Sequence, residues 1–302
     1  MLTQAQFNSL LIPVIYHHFE VGQSRVPSLR RRLFNVQQSE ISEEKGTGMG
    51  GMSPDAWNVY KSSGEPGVKG RLDFTELYTQ SYIHEEYPVE VVIQKKLVLN
   101  DQYGKIEDII RRVGISAEQK MEIDAASLLN NAFNTSVTWS DGKRLCAADH
   151  PKGPHTSGSY SNRGTTALSA AAVSATRTLM MRFKDDRGND IGVMPNELWV
   201  PPELEDTAIE VAQSLMSPGD ANTAINAQAG RWTVIPWLRL SDSNNWFMVD
   251  GTWRGEVVNW YEREATQIML VAENTTELVY EFKLHYSFGV DDWRWIYGHE
   301  VA

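Results

Sequence analysis

Cys146 is the only thiol in this chain of 302 residues. One cysteine cannot close an intrachain disulfide, so any fold must rest on a packed core, and the usage fits a reducing compartment. Positive charge is also scarce: 28 Lys and Arg face 39 Asp and Glu, a formal net charge of −11. That balance excludes a protein that coats nucleic acid by general attraction, while leaving room for a local basic patch. No apolar run approaches the roughly 18 residues that a membrane span needs. The apolar patch at 10–16 has no Lys or Arg before it and is broken by Pro13, so no secretory signal is expected. The chain lacks a G-x-S-x-G elbow, a P-loop, an H-E-x-x-H pair and a fixed-period repeat.

What is abundant is aromatic surface, with ten tryptophans, a composition typical of contact-rich proteins. The clearest pattern lies at 105–133. Ile106, Ile109, Ile110, Val113, Ala117, Met121, Ala125, Leu128, Leu129, Ala132 and Phe133 recur at steps of three and four. This predicts one long amphipathic helix, with Glu107, Asp108, Arg111, Arg112, Glu118, Lys120 and Glu122 on its other side. At about 1.5 Å per residue it spans roughly 40 Å. Gly114 and Ser116 predict a kink or restart within it.

Residues 1–38 read as an arm, with helix limited by Pro13 and Pro27. Arg25, Arg30, Arg31 and Arg32 form the one basic cluster, suited to phosphate or to the acidic surface of a neighbour. Residues 39–70 are glycine-rich, and a loop of that length is usually functional or mobile. Runs at 36–41 and 72–83 on either side predict a long β-hairpin, with Trp57 and Tyr60 needing a surface to cover them. A β-rich run follows at 89–99. Further along, 168–183 reads as a helix capped by Ser169, 197–200 as a short buried strand, and 202–215 as a helix opened by Pro202. Strands are expected at 232–235 and 246–249. Alternation at Leu278, Tyr280, Phe282, Leu284 and Tyr286 marks another, with 293–297 as its partner.

Three motifs could carry chemistry. Gly46-Thr-Gly48-Met-Gly50-Gly51 matches G-x-G-x-x-G by letters, but a polar segment precedes it and Pro54 follows, so the strand–turn–helix of a nucleotide site is not expected. Cys146, His150 and His155 could form a metal set or a thiol with its base. Pro151 and Pro154 hold the histidines on an extended connector, which favours a turn histidine beside a core thiol. His17 and His18 are adjacent and diverge. No active site, cofactor site or metal site is expected.

The segment 168–208 carries a family resemblance. Met181-Arg-Phe-Lys-Asp185, Gly188-Asn-Asp-Ile191-Gly192-Val-Met-Pro195-Asn-Glu-Leu198-Trp-Val200-Pro201-Pro202-Glu-Leu204 closely resembles the major capsid proteins of tailed bacteriophages. Asp141-Gly142, Asp149-His150-Pro151 and Phe288-Gly289-Val290-Asp291 resemble the family's connector and closing turn, nearest to the Mu-type head subunit. The resemblance implies an α+β, Hong-Kong-97-type fold. Its parts would be an N-terminal arm (1–38), an extended hairpin loop (39–88), a peripheral domain (89–165) with spine helix 105–133, an axial domain (166–270), and C-terminal strands (271–302) returning to the peripheral domain.

The resemblance further implies a non-enzymatic shell subunit that assembles with copies of itself as hexamers and pentamers around double-stranded DNA, without sequence-specific binding, a membrane or a cofactor. A separate scaffolding protein, a portal and a decoration protein are the implied partners, and the virion capsid, assembled in the bacterial cytoplasm, is the implied location. Residues expected at subunit contacts are Arg30, Arg31, Arg32, Trp57, Tyr60 and Lys61. An encapsulin-like compartment is the alternative within the fold. A soluble enzyme using Cys146 and His150 is the alternative from another class.

Overall fold

The computed structural model describes residues 4–52, 76–96, 103–154, 156–216 and 225–302. In chain order its elements are α1 (Gln4–Gln23), α2 (Arg30–Leu33), β1 (Asn35–Gln38), β2 (Glu43–Met49), β3 (Glu76–Ile83), β4 (Glu85–Gln94) and α3 (Tyr103–Asn130). There follow β5 (His150–Gly153), β6 (Thr156–Tyr160), β7 (Arg163–Gly164), α4 (Ala170–Met180), β8 (Glu197–Val200), a 3-10 turn (Pro202–Leu204) and α5 (Glu205–Gln213). The chain closes with β9 (Thr233–Pro236), β10 (Trp246–Val249), α6 (Gly251–Val257), β11 (Val258–Glu273), β12 (Glu277–Val290) and β13 (Ile296–His299). Two compact units result, each drawn from three separate stretches of chain.

The first unit comprises Met1–Glu44, Tyr82–Ser127 and Asn259–Phe288. Its four-stranded sheet runs β1-β11-β12-β4, with β1 parallel to β11 and β4 antiparallel to β12. Successive strand residues point to opposite faces. Leu278, Tyr280 and Phe282 of β12 therefore turn together toward the helices, where they join Ile15, Phe19, Ile106 and Ile110 in one core. Phe19 stacks on Phe282 at 5.4 Å. α1 continues through Pro13. An internal proline removes one helical bond and costs about 3 kcal/mol, and burial of Ile15 and Phe19 beyond it offsets that loss. α3 likewise runs unbroken past Gly114. There is no restart at Ser116, and Gly114 serves packing: a Cβ there would overlap the backbone carbonyl of Phe19, and one at Gly22 would overlap that of Arg111. The two helices approach backbone to backbone at these glycines.

The second unit comprises Lys45–Ser81, Leu128–Val258 and Gly289–Ala302. Its five-stranded sheet runs β7-β13-β10-β8-β9. β8 is buried along its whole length; Leu198, Trp199 and Val200 are apolar, and the buried Glu197 accepts from the Trp199 indole N–H at 2.9 Å. Val173, Met180, Ala208 and Val211 from α4 and α5 pack with Leu198, Val200, Trp246 and Met248. Ser169 caps α4 by accepting the Ala172 N–H, satisfying an otherwise unpaired helical donor.

Several expectations require correction. The strand paired with β3 is β2, not the run at 36–41; Val36 lies in β1, beside Trp260 of β11. Trp293 to Tyr297 does not pair with β12, because β13 pairs with β10 and β7. The polar connector at 151–164 contains three short strands, and β11 adds a 16-residue strand to those expected from the sequence.

Candidate functional site

The basic turn after α1 is built around Arg30. Glu122 of α3 accepts hydrogen bonds from the Ser28 hydroxyl (2.6 Å), the Leu29 N–H (3.3 Å) and the Arg30 N–H (2.9 Å). A single carboxylate thus fixes the start of α2, where exposed N–H groups favour negative charge. The Arg30 guanidinium lies 2.9 Å from Glu262 and 3.5 Å from Glu118, and 4.8 Å over the ring of Trp260. It is 1% exposed. The expectation that Arg30 meets a neighbouring molecule is therefore corrected: its charge is consumed inside the fold. Arg31 and Arg32, the next two residues, are exposed. Charge type was legible from the sequence, but the split between one internal and two external arginines depends on Glu118 and Glu262, which lie far away in the chain.

The glycine-rich stretch forms strand β2, not a phosphate loop, and pairs with β3. Thr47 and Thr79 hydroxyls meet across the pair at 3.2 Å. A Cβ at Gly46 would overlap the Asp291 carboxylate, and one at Gly51 would overlap Asp185. The Gly51 N–H donates to Asp186 Oδ1 at 2.7 Å. These glycines let backbone lie directly against an acidic wall. Trp57, Tyr60 and Lys61, expected at subunit contacts, lie outside the described residues.

The thiol–imidazole alternative fails on geometry. Cys146 is fully buried, and burial pushes its thiol pKa far up, away from a reactive thiolate. Both ring nitrogens of His150 are occupied, Nδ1 by Asp141 at 2.6 Å and Nε2 by Asn162 at 3.0 Å. The ring stacks on Trp293 at 4.3 Å. Asn162 also donates to the Leu145 and Ile296 carbonyls, so the histidine belongs to a structural network. His155 lies outside the described residues, and no group of three potential metal ligands occurs among those described.

Comparison with known proteins places this architecture. A family model described as "Phage capsid protein" matches residues 90–298. No curated protein matches the sequence significantly. Among solved structures, the chain is similar to one from Mycobacterium phage Patience, with TM-score 0.54, 10% identity, and coverage of 99% of this chain and 88% of that one. It is also similar to the decorated capsid of bacteriophage JBD30, at TM-score 0.53, 15% identity, 72% of this chain and 92% of that one. The holo-SrpI encapsulin complex from Synechococcus elongatus gives TM-score 0.53 at 11% identity, covering 91% and 88% respectively. At such identities these likenesses show the fold, while the family match extends over core elements of both compact units. With a buried thiol, an occupied histidine and an α+β fold shared with phage shells, the chain belongs to the phage capsid protein family, as a structural major capsid protein of Hong-Kong-97-type fold.

Proposed function

We propose that this subunit works purely by contact, with no catalytic step, and that its parts divide the labour of building a closed shell. In this reading 1–38 is an arm reaching one neighbour, 39–88 an extended loop lying over another, and 89–165 a peripheral domain built on the spine helix. Residues 166–270 form an axial domain gathered around capsomer axes, with 271–302 as closing strands. Hexamers and pentamers are the rings. Many weak contacts made at once give a strong lattice, and head-to-tail contacts close only where the rotation fits. Exposed Arg31 and Arg32, together with Trp57, Tyr60 and Lys61, are the proposed contact residues.

The match of the capsid family across 90–298 carries this reading. The net charge of −11 supports it, since a shell wall that repels its packed DNA does not trap it. A separate scaffolding protein, a portal and a decoration protein complete the assembly, which takes place in the host cytoplasm. An encapsulin-like compartment shares the fold, but the family match is to phage capsids. Electron microscopy of the expressed protein tests the proposal: closed particles are expected, and an isolated monomer at high concentration overturns it. Deleting 46–70 should leave a folded subunit without particles; normal particles from that deletion would remove the bridging role of the loop.

A further inference from the structure

The four-stranded sheet of the first unit has one face covered by α1 and α3, through Phe19, Ile106 and Ile110. Its other face is defined by the opposite residues. Val92 pairs with Val279, Glu90 with Glu281 and Gln94 with Glu277 across β4 and β12. On β11, Ile268 and Leu270 turn toward the core, so Met269 and Val271 share the outer face. Val92, Met269 and Val271 are about half exposed. This is an apolar strip with no helix over it among the described residues.

Carboxylates border that strip, with Lys283 the nearby cation that feels the Glu281 charge while it is itself paired to Glu86. Glu90 and Glu281 stand opposite each other, an arrangement that destabilises a sheet left to itself. Two lysines at this sheet are already engaged: Lys283 with Glu86 at 2.8 Å and Lys95 with Glu273 at 2.7 Å. Neither Glu90 nor Glu281 forms a hydrogen bond or ion pair among the described residues. The unit also contains the reverse imbalance. Arg25 and Arg31 are exposed on the turn between α1 and β1 and form no ion pair among the described residues. That turn is anchored on the helix-covered side through Glu122 and Glu118 of α3. Within one subunit the two charge sets therefore lie on opposite sides of one sheet and cannot meet.

We infer that the outer sheet face of one subunit, bearing Glu90 and Glu281 around Val92, Met269 and Val271, docks the Arg25–Arg31 turn of a second copy of this chain. Charge complementarity selects the occupant: each subunit offers both halves of the contact, on opposite sides. The contact is heterologous, the kind that propagates around a ring or lattice. The apolar strip requires a protein surface over it, and its carboxylates repel DNA. The arginines pair with the two facing glutamates, removing the like-charge conflict.

The inference rests on the shell reading and is tested by charge exchange in the full-length chain. Arg25→Glu with Arg31→Glu, and separately Glu90→Lys with Glu281→Lys, should each cut particle yield at least tenfold by sedimentation and electron microscopy. All four substitutions in one chain should recover most of it. Wild-type yield from either reversal pair overturns the contact. So does a fourfold variant no better than its parents, provided circular dichroism shows it folded. Where a reversal variant misfolds, Glu90→Gln with Glu281→Gln replaces it: a loss of yield is expected, and unchanged yield overturns the proposal. A change in DNA retention with unaltered assembly would assign the arginines to the genome and equally overturn it. If the wild-type chain builds no particles at all, the shell reading itself falls, an outcome distinct from failure of the exchange.

Discussion

The imidazole of His299 lies 4.1 Å from the indole of Trp246, the two rings within 3° of parallel. The Thr166 N–H donates to His299 Nδ1 at 3.2 Å, so this nitrogen carries no proton, and Nε2 lies 2.8 Å from the Thr176 hydroxyl. The packing therefore specifies a neutral ring. Burial lowers the His299 pKa from 6.5 to about 4. The unfolded chain takes up a proton at this histidine below pH 6.5, whereas the folded chain resists until about pH 4. The stabilisation is complete above pH 6.5 and is lost progressively between 6.5 and 4, by roughly 3 kcal/mol. Urea unfolding of unassembled subunits across that range should show the loss, and His299→Gln should flatten that part of the profile.

Removal of the Arg30 guanidinium leaves Glu118 buried beside an uncompensated gap. Breaking a buried ion pair from one side typically costs about 3–5 kcal/mol. Arg30→Met should lower unfolding free energy by an amount of that order. Arg31→Met, at an exposed position, should change it by less than about 0.5 kcal/mol.

Gly114 and Gly104 sit on the same helix under opposite constraints. A Cβ at Gly114 meets the Phe19 backbone, which has no rotamer with which to move aside, whereas one at Gly104 meets nothing within 4 Å. Gly114→Ala should separate α1 from α3 and destabilise by about 1–3 kcal/mol. Gly104→Ala should be neutral or stabilising by up to about 1 kcal/mol. Thermal melting of the two variants side by side decides the matter.

Cys146 should react with a disulfide reagent only when the subunit opens. Its full burial and raised pKa predict labelling at the global unfolding rate, and complete labelling in denaturant. Rapid labelling of the native subunit would contradict the packing described.

The elements most legible in sequence were those that carry a clear apolar stripe or run of their own. The stripe Ile106, Ile110, Met121, Ala125, Leu128 is buried as its spacing requires, and β8 and β10 fall where their apolar runs placed them. β11 was illegible because Glu262, Arg263 and Glu264 interrupt its alternation, and Glu262 is acceptable there only because Arg30 reaches it. α1 was shortened in expectation by Pro13, since propensity carries no information about what Ile15 and Phe19 pack against. Gly46 of β2 and Gly51 just beyond it read as loop because their close approach to Asp291 and Asp185 involves residues more than a hundred positions away. The contact surfaces were hardest to locate: Arg30, Arg31 and Arg32 are chemically identical, and only the fold separates one buried from two exposed.

The order in which chain segments enter the first unit has a consequence for synthesis. β12 lies between β11 and β4, so the four-stranded sheet cannot close until residues near 290 have left the ribosome. A nascent chain then carries α1 and α3 while the sheet they pack on is still incomplete. Without β12, β4 lacks its antiparallel partner and the core of the first unit lacks Leu278, Tyr280 and Phe282.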